Sequence, residues 1–223
     1  GVMKVGNIAE LALDDSVALR VRFDTPGGAP PPQSDLYFRG PVFATFDGSE
    51  WHPLSYRAGN RALERPNSPA QLRVEGAALR YEVTLEPHQR PWLLVLDAAR
   101  DKPSVAGMGT FMTDDLQWLT SRPITDVTRY RATSYPQFRH GPDAATPALR
   151  AYTELPTGFN PRTLALAQEL RSDPRIAPDP ARDPDLDATP ALVNAALARL
   201  RTGGYRYTLE PGVYGQHTAD EFW

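Results

Sequence analysis

The first two thirds of the chain alternate apolar and polar residues in short runs, the pattern of half-buried β-strands. The alternation is clearest from Leu79 to Leu85, and a similar run from Val17 ends at Phe23. From Trp92 to Leu96 the apolar residues are continuous, as expected of a strand buried on both faces. Further predicted strands occupy 36–46, 109–113, 116–119 and 125–133.

Glycine and proline mark the connections between these segments. Proline supplies 23 of 223 residues, well above an average near 5%, and most prolines fall between the periodic runs. Gly40-Pro41 predicts a kink in the second strand, because proline cannot donate to a sheet. Asp47-Gly48 is a tight-turn signal that places Trp51 on a returning strand. Six to eight short strands without an intervening helix predict an antiparallel sandwich or barrel.

The pattern changes to helical periodicity after about residue 155. Asn160-Pro161 predicts a helix start, with Asn160 as the N-cap, and an apolar face continues to Arg171. Thr189-Pro190 repeats this start, and Gly203 supplies a stop. A strand at 205–209 and a short helix capped by Thr218 are predicted to follow. We therefore predict an α+β chain with a β-rich accessory domain at 1–155 and a helical part at 156–223.

Charge and composition exclude several classes of protein. The net charge is −3 with both signs interspersed, which argues against a nucleic-acid or anionic-membrane surface. The sequence contains no cysteine, so it offers no thiol nucleophile, disulfide or thiolate-bound zinc. No apolar run approaches 18 residues and no signal peptide is visible. We expect a cytosolic protein, or a chain that starts downstream of targeting or membrane segments.

The residues that could bind metal lack the spacing that a metal site needs. No histidine has a partner at i, i+4 or an acidic neighbour at ligand spacing, so surface or loop positions are predicted for His52, His88, His140 and His217. The acidic series Asp183, Asp185 and Asp187 imitates the start of a calcium loop. Pro184 interrupts it, and the glycine and glutamate of such a loop are missing. The sequence therefore predicts no metal and no cofactor.

Two pairs of adjacent acids and four tryptophans leave alternatives open. Asp114-Asp115 and Asp220-Glu221 are side by side, whereas glycosidases need two acids that face each other across a cleft. Caps or surface charges are the simpler interpretation. The tryptophans could form a sugar-binding platform, although strand tryptophans more often belong to a core; they are Trp51, Trp92, Trp118 and Trp223.

Several motifs occur in an order and spacing that resemble the ectodomain of bacterial membrane-anchored transglutaminase-like proteins. The resemblance spans nearly the whole chain. Trp223 stands where that family usually has leucine. The motifs are Asn7-Ile8-Ala9-Glu10-Leu11, Tyr37-Phe38-Arg39-Gly40, Phe46-Asp47-Gly48 with Trp51, Tyr81 to Pro87, Trp92-Leu93-Leu94, Asn160-Pro161-Arg162-Thr163, Tyr205 to Pro211, and Asp220-Glu221-Phe222-Trp223.

The resemblance implies an accessory domain followed by the first part of a papain-like core. In that family a Gly-x-Cys-Glu-His-type sequence follows within about a dozen residues, and the triad's His and Asp come later still. None of those positions exists here, so we expect a truncated, inactive fragment with no catalytic residue. The parent would cross-link glutamine and lysine side chains or hydrolyse amide bonds of a protein or peptide substrate. Its place would be the periplasmic face of the inner membrane, with its transmembrane helices outside this chain.

A stand-alone β-rich module that binds cell-wall polysaccharide or a protein partner is the alternative hypothesis. Truncation makes a further prediction for the helical part. If its helices normally cover a missing sheet, uncovered apolar side chains would favour self-association. Those side chains are Leu197, Leu200, Phe222 and Trp223.

Overall fold

The protein is represented by a computed structural model that describes residues 3–4, 15–53, 72–142, 147–176, 188–206, 208 and 215–223. Structural statements below concern these residues. The strands are β1 Met3–Lys4, β2 Leu19–Phe23, β3 Phe38–Arg39, β4 Thr45–Phe46, β5 Glu50–His52, β6 Leu72–Glu75, β7 Leu79–Leu85, β8 Trp92–Leu93, β9 Val95–Leu96, β10 Thr110–Met112, β11 Trp118–Thr120, β12 Thr128–Ser134 and β13 Gln137–His140.

The helices begin near the end of the β-rich part. They are α1 Pro147–Arg150, α2 Pro161–Ser172, α3 Thr189–Thr202 and α4 Thr218–Phe222, with single 3-10 turns at Pro26–Gly28, Gln33–Asp35 and Ala151–Thr153. Strands followed by helices confirm the predicted α+β class. In the described part of the chain, no helix is long and apolar enough to cross a membrane.

A three-stranded antiparallel sheet in the order β12-β7-β2 contains the longest strands. Tyr81, Val83 and Leu85 of β7 point into the core and are at most 1% exposed. The residues between them are polar and half-buried or exposed, as period-two alternation dictates. The smaller antiparallel sheets have the orders β10-β11-β8, β3-β9, β13-β6 and β1-β5-β4.

The core is tied to the sheets by a buried hydroxyl pair. The Tyr81 hydroxyl accepts the backbone N–H of Leu96 at 2.8 Å and lies 2.8 Å from the Ser134 hydroxyl. Ser134 in turn donates to the Leu96 carbonyl at 2.8 Å. Burial raises the pKa of Tyr81 to about 12, so the phenol stays neutral. These bonds link three strands, β7, β9 and β12.

Most predicted strands are confirmed, and the differences have local causes. The apolar run from Trp92 to Leu96 is split at Leu94 into β8 and β9, which pair with different neighbours. Strands β6 and β13 were not predicted, because each is only four residues long and both mix charged with apolar residues. The strand predicted at 205–209 is wrong for Tyr205, Arg206 and Thr208, which are irregular. Its other two residues lie outside the described part.

The contacts divide the chain into two compact units. Unit 1 holds Asp15–Thr45 and His52–Glu154, with the β-rich core described above. Unit 2 holds Phe46–Trp51 and Leu155–Trp223, together with the residues of β1. The domain boundary that the sequence places at residue 155 remains a prediction.

Candidate functional site

Within unit 2, the buried carboxylate of Asp220 caps the start of helix α2. Its Oδ2 atom accepts the backbone N–H of Arg162 at 3.0 Å. Its Oδ1 atom accepts the Thr163 backbone N–H at 2.7 Å and the Thr163 hydroxyl at 2.8 Å. These are N–H groups of a first helical turn, which have no partner inside their own helix. Negative charge is favourable there because the helix dipole is positive at that end.

Asn160 in turn caps the start of helix α4. Its Oδ1 atom accepts the backbone N–H groups of Ala219 at 3.1 Å and Asp220 at 3.4 Å. Asn160 has a φ of 53°, in the left-handed region that asparagine tolerates better than most residues. Asn160 occupies the N-cap position of α2, as predicted, and its carbonyl accepts the backbone N–H of Leu164 at 3.0 Å. Its side chain, however, makes no capping bond to α2 and caps α4 instead.

His217 and Arg162 add further hydrogen bonds between the starts of α2 and α4. We call this set of bonds around Asn160 and Asp220 the helix joint. The backbone N–H of Asn160 donates to Nδ1 of His217 at 3.0 Å, which adds a bond between the residues that precede α2 and α4. The Arg162 guanidinium donates to the carbonyl of Asp220, and its Nε lies 3.9 Å from Oδ2 of the same residue. The residue before α4 is His217, and Thr218 is its first helical residue, so the predicted cap by Thr218 is wrong.

The electrostatics suit Asp220 to a structural task. Asp220 is 5% exposed, and burial alone would raise its pKa. The N–H groups of Arg162 and Thr163, the Thr163 hydroxyl and the Arg162 charge together hold the pKa of Asp220 below its usual value. Both carboxylate oxygens accept hydrogen bonds from the start of helix α2, and the group stays ionised. The cluster joins two helix starts.

An aromatic cluster follows the capped helix. The rings of Tyr205 and Phe222 stack with their centroids 5.0 Å apart, and Trp223 meets both edge-on. Glu221 is exposed and accepts the backbone N–H of Gly215 at 2.8 Å. The adjacent acids Asp220 and Glu221 thus accept hydrogen bonds from two different backbone segments, the start of α2 and Gly215.

The outer faces of helices α2 and α3 carry uncovered apolar side chains. No residue of either helix is buried. Leu164 is 46%, Val193 51% and Leu197 40% exposed, and Phe222 of α4 is 43% exposed. Leu200 and Trp223 are half-buried. Leu197 and Phe222 therefore present the apolar surface that the sequence predicts, and Leu200 and Trp223 present less of it.

A tight hairpin between β4 and β5 belongs partly to the same unit. Oδ1 of Asp47 accepts the N–H groups of Ser49 and Glu50 at 2.9 and 2.8 Å. The hairpin brings ligand atoms of Asp47, Glu50 and His52 within 4.8 Å of one another, a grouping that the sequence analysis missed because the turn folds the chain back. Asp47 serves the turn itself, so the hairpin explains the grouping without a metal.

Gly48 shows how tightly this hairpin is packed in unit 2. Its φ is 112°, and a Cβ atom there would lie 2.5 Å from Cε1 of Phe159. Any side chain at this position would displace the ring next to Asn160. The Asp47-Gly48 turn signal is confirmed, and its glycine is required by packing as well as by backbone conformation.

The other predicted candidates that the structure describes are exposed or make hydrogen bonds of their own. Asp115 accepts a hydrogen bond of 2.7 Å from the Tyr152 hydroxyl, and burial together with this bond raises the pKa of Tyr152. Asp114 is exposed beside it. His88 lies 3.1 Å from the carbonyl of Trp92 through Nε2, and His140 is exposed on β13. Asp183, Asp185 and Asp187 lie outside the described residues.

Trp118 belongs to the core, and the other three tryptophans are half-buried. Trp118 is 2% exposed, and its indole N–H donates to the carbonyl of Ala99 at 2.8 Å. Trp51 stacks against Phe46 with centroids 5.1 Å apart. Trp118 therefore cannot present a face to a sugar.

Comparison with known proteins gives a consistent answer. The model of the family described as TgpA N-terminal domain matches residues 1–140. The protein-glutamine gamma-glutamyltransferase of Pseudomonas aeruginosa is 32% identical over 221 residues, which are 99% of this chain. The chain spans only 29% of that protein's length.

Two crystal structures of the periplasmic domain of TgpA from Pseudomonas aeruginosa share the fold. One has a TM-score of 0.76 at 30% identity. The match covers 99% of this chain and 68% of the crystallised chain. The ethylmercury-bound form has a TM-score of 0.76 at 31% identity and covers 99% of this chain and 69% of its own. The matched region of that relative is periplasmic, which supports a periplasmic location for this chain.

Proposed function

The chain belongs to the TgpA N-terminal domain family, and we propose that it is a non-catalytic part of a membrane-anchored, transglutaminase-like cysteine enzyme. Its residues correspond to the N-terminal portion of the periplasmic region of TgpA, a transglutaminase-like protein. The proposed enzyme transfers glutamine acyl groups to amines or hydrolyses amide bonds. The chemistry would belong to residues outside the 223 described by this sequence.

The observation that carries this proposal is a match along 99% of the chain in a sequence that contains no cysteine. Transglutaminase-like chemistry needs a thiolate, a neighbouring imidazole that lowers the thiol pKa, and a third residue that orients the imidazole. Two of the four histidines bind within the fold: Nδ1 of His217 accepts the Asn160 backbone N–H, and Nε2 of His88 lies 3.1 Å from the Trp92 carbonyl. This chain therefore supplies structure to the enzyme and not its nucleophile.

Unit 2 has the features of a structural support on which other parts of the enzyme could pack. The joint between Asn160 and Asp220 fixes the starts of α2 and α4, while Leu164, Val193 and Leu197 leave apolar surface open. Isolated apolar helices gain most of their stability from packing. We propose that further parts of a papain-like core pack on this surface, in keeping with the 32% of the solved periplasmic domain beyond the 68% that this chain matches.

Anchoring and substrate are also part of the proposal. Transmembrane segments outside this chain would hold the enzyme at the periplasmic face of the inner membrane, and its substrate would be a protein or peptide. The interspersed charges of this chain argue against a nucleic-acid partner. Where the apolar helix faces of unit 2 are left uncovered, self-association is expected.

Fractionation of the native host tests the proposal. An antibody raised against this chain should detect a protein much heavier than the 24.6 kDa of these residues, in the membrane fraction and released only by detergent. Its gene should encode a cysteine at a helix start beyond the matched region, followed by histidine and aspartate. A soluble native protein of the mass of this chain would refute both the anchor and the supporting role.

A further inference from the structure

A groove in unit 1 runs beside the outer edge of strand β12. Its cavity is about 210 Å³ in volume. One wall is the turn from Val105 to Met108, and the other is the stretch from Arg122 to Arg129. Five consecutive residues, 125–129, line the groove, which means that the backbone of β12 itself borders it.

The strand register shows which backbone groups of β12 face outward. On the β2 side, Glu86 donates to Ala18 and Asp24 donates to Arg80, so the even-numbered residues of β7 bond towards β2. In an antiparallel sheet the bonding direction alternates along a strand. The odd-numbered residues of β7 therefore bond towards β12.

The same alternation fixes the direction of each β12 residue. Leu85 of β7 pairs with Thr128, and Val83 pairs with Tyr130. These even-numbered residues of β12 bond inward to β7. The N–H and C=O groups of Val127 and Arg129 must then point away from the sheet, towards the groove.

Nothing in the described part of the chain pairs with these outward groups. The backbone of Ser104 bridges to Arg131, the next outward residue, and the chain then turns away between Val105 and Met108. No backbone bond reaches Val127 or Arg129 from that side among the described residues. The edge is therefore closed at Arg131 and open for the two outward positions before it.

Free positive charge surrounds the open edge. Arg122 and Arg129 line the groove, and their guanidinium groups have no ion-pair partner among the described residues. Lys102 lines a neighbouring cavity of about 270 Å³ that shares Val105 and Met108 with the groove. Asp126 is the carboxylate of the groove, and it accepts the Thr125 hydroxyl at 3.0 Å. The local balance of charge favours an anionic ligand.

An apolar contact lies in line with these charges. Val127 is 60% exposed and precedes the first residue of β12. Val127 and Arg129 are two residues apart, so their side chains lie on the same exposed face of the sheet and would be neighbours of one face of an added strand. A peptide with an acidic and an apolar residue two positions apart would match both.

We propose that this groove binds an extended acidic peptide segment, which adds a strand to β12 through the backbone groups of Val127 and Arg129. Its acidic side chain lies beside Arg129, and an apolar one covers Val127. Strand addition of this kind takes its affinity from main-chain hydrogen bonds and its specificity from side-chain neighbours. The binding is separate from acyl transfer and needs no part of the enzyme outside this chain.

A labelled peptide tests the proposal directly. The probe is Ac-Gly-Thr-Glu-Thr-Val-Thr-Gly-NH2, in which the glutamate and the valine lie on the same face of a strand, with a lysine-for-glutamate version as the charge control. A third version carries N-methyl groups that abolish its strand bonds. We expect the acidic probe to bind with a Kd below about 1 mM and the lysine version at least about tenfold more weakly. The N-methylated version should not bind.

Variants separate the edge from general charge effects. Arg129→Glu should weaken binding of the acidic probe about tenfold, because an attraction becomes a repulsion. Arg139→Glu is the matched control, since Arg139 is an exposed strand arginine in the separate β13-β6 sheet. It should leave binding unchanged. Val127→Pro removes an outward N–H without removing a bond of the sheet, and should also weaken binding.

Amide hydrogen exchange then locates the contact. The amides of Val127 and Arg129 should become protected when the acidic probe is added, while those of the β13-β6 sheet should not. The proposal is overturned if no binding occurs at about 1 mM, if Arg139→Glu weakens binding as much as Arg129→Glu, or if the N-methylated probe binds equally well. Binding only to anionic phosphatidylglycerol vesicles, lost in Arg129→Glu, would assign the groove to a membrane and also overturn it.

Discussion

Oδ1 of Asp220 accepts the backbone N–H of Thr163 at 2.7 Å, across 57 residues of sequence. The reverse bond runs from the start of α4 to Oδ1 of Asn160. Each of the two helices is thereby capped by a residue that belongs to the other helix start. Helices α2 and α4 are consequently expected to form together and to lose order together.

The charge of Asp220 is expected to be essential to this joint. In Asp220→Asn the side chain is similar in size, but its NH2 group would face an N–H donor of Arg162 or Thr163. We expect Tm to fall by about 2–6 °C, measured by circular dichroism, with the aromatic signal of the Tyr205 cluster lost in parallel. Glu169→Gln is the control, because Glu169 is exposed on α2, the helix whose start Asp220 caps. An equal fall in both variants would contradict the capping role.

The contribution of Asp220 should depend on pH in one direction. Its pKa is lower in the native state than the ordinary value of 3.8, so its stabilisation is present above that value and is lost as the pH falls through the lower native pKa. The stability difference between the native protein and Asp220→Asn should be constant from about pH 5 to 7 and shrink below about pH 4.

Thermal melts at a series of pH values measure this difference. Arg175 holds the pKa of Asp173 at about 2, and this group titrates in both proteins, so it cancels in the comparison. A difference that grew on acidification would contradict the assignment of the charged form to Asp220.

Asn160 combines a cap with an unusual backbone conformation, and two substitutions separate them. Asn160→Ala should destabilise the protein by about 1–3 kcal/mol, since alanine offers no acceptor and is strained at a positive φ. Asn160→Gly loses the acceptor but tolerates the backbone, so it should cost less than the alanine variant. Urea unfolding gives both values. Equal losses would show that the left-handed conformation of Asn160 contributes nothing.

In unit 1 the Tyr81 hydroxyl is expected to carry a measurable share of stability. Tyr81→Phe leaves the Leu96 N–H without an acceptor in the core, at a cost of about 1–3 kcal/mol. Tyr37→Phe is the control, because Tyr37 is 62% exposed and should change the free energy of unfolding by less than about 0.5 kcal/mol. If both variants were equally stable, the buried hydroxyl pair would have no energetic role.

Local patterns allowed the sequence to predict most elements of the fold. The alternation from Leu79 to Leu85 gives β7 with correct bounds, and proline in the first helical turn predicts helices α2 and α3. Both signals act within a few residues. Gly203 ends α3 as predicted, although the left-handed residue is Gly204, with a φ of 81°.

The sequence could not predict the joint between Asn160 and Asp220, because its hydrogen bonds join residues that are far apart in the chain. Asn160-Pro161 has the composition of a self-capped helix, and nothing in the sequence indicates that the acceptor for that helix is Asp220. The short β6 and β13 strands were missed for the same reason, since they form through pairing with each other. The family resemblance supplied the function, which no local pattern in this chain encodes.

The most direct test of the supporting role is incorporation of a fluorescent amine into a glutamine-containing protein. The purified 223-residue chain should give no turnover, while the full-length native protein should give steady turnover that a thiol-alkylating reagent abolishes. Loss of the Asn160–Asp220 joint in that protein should reduce turnover. Alkylation-resistant turnover by this chain alone, in a preparation free of other enzymes, would contradict the proposal that its nucleophile lies elsewhere.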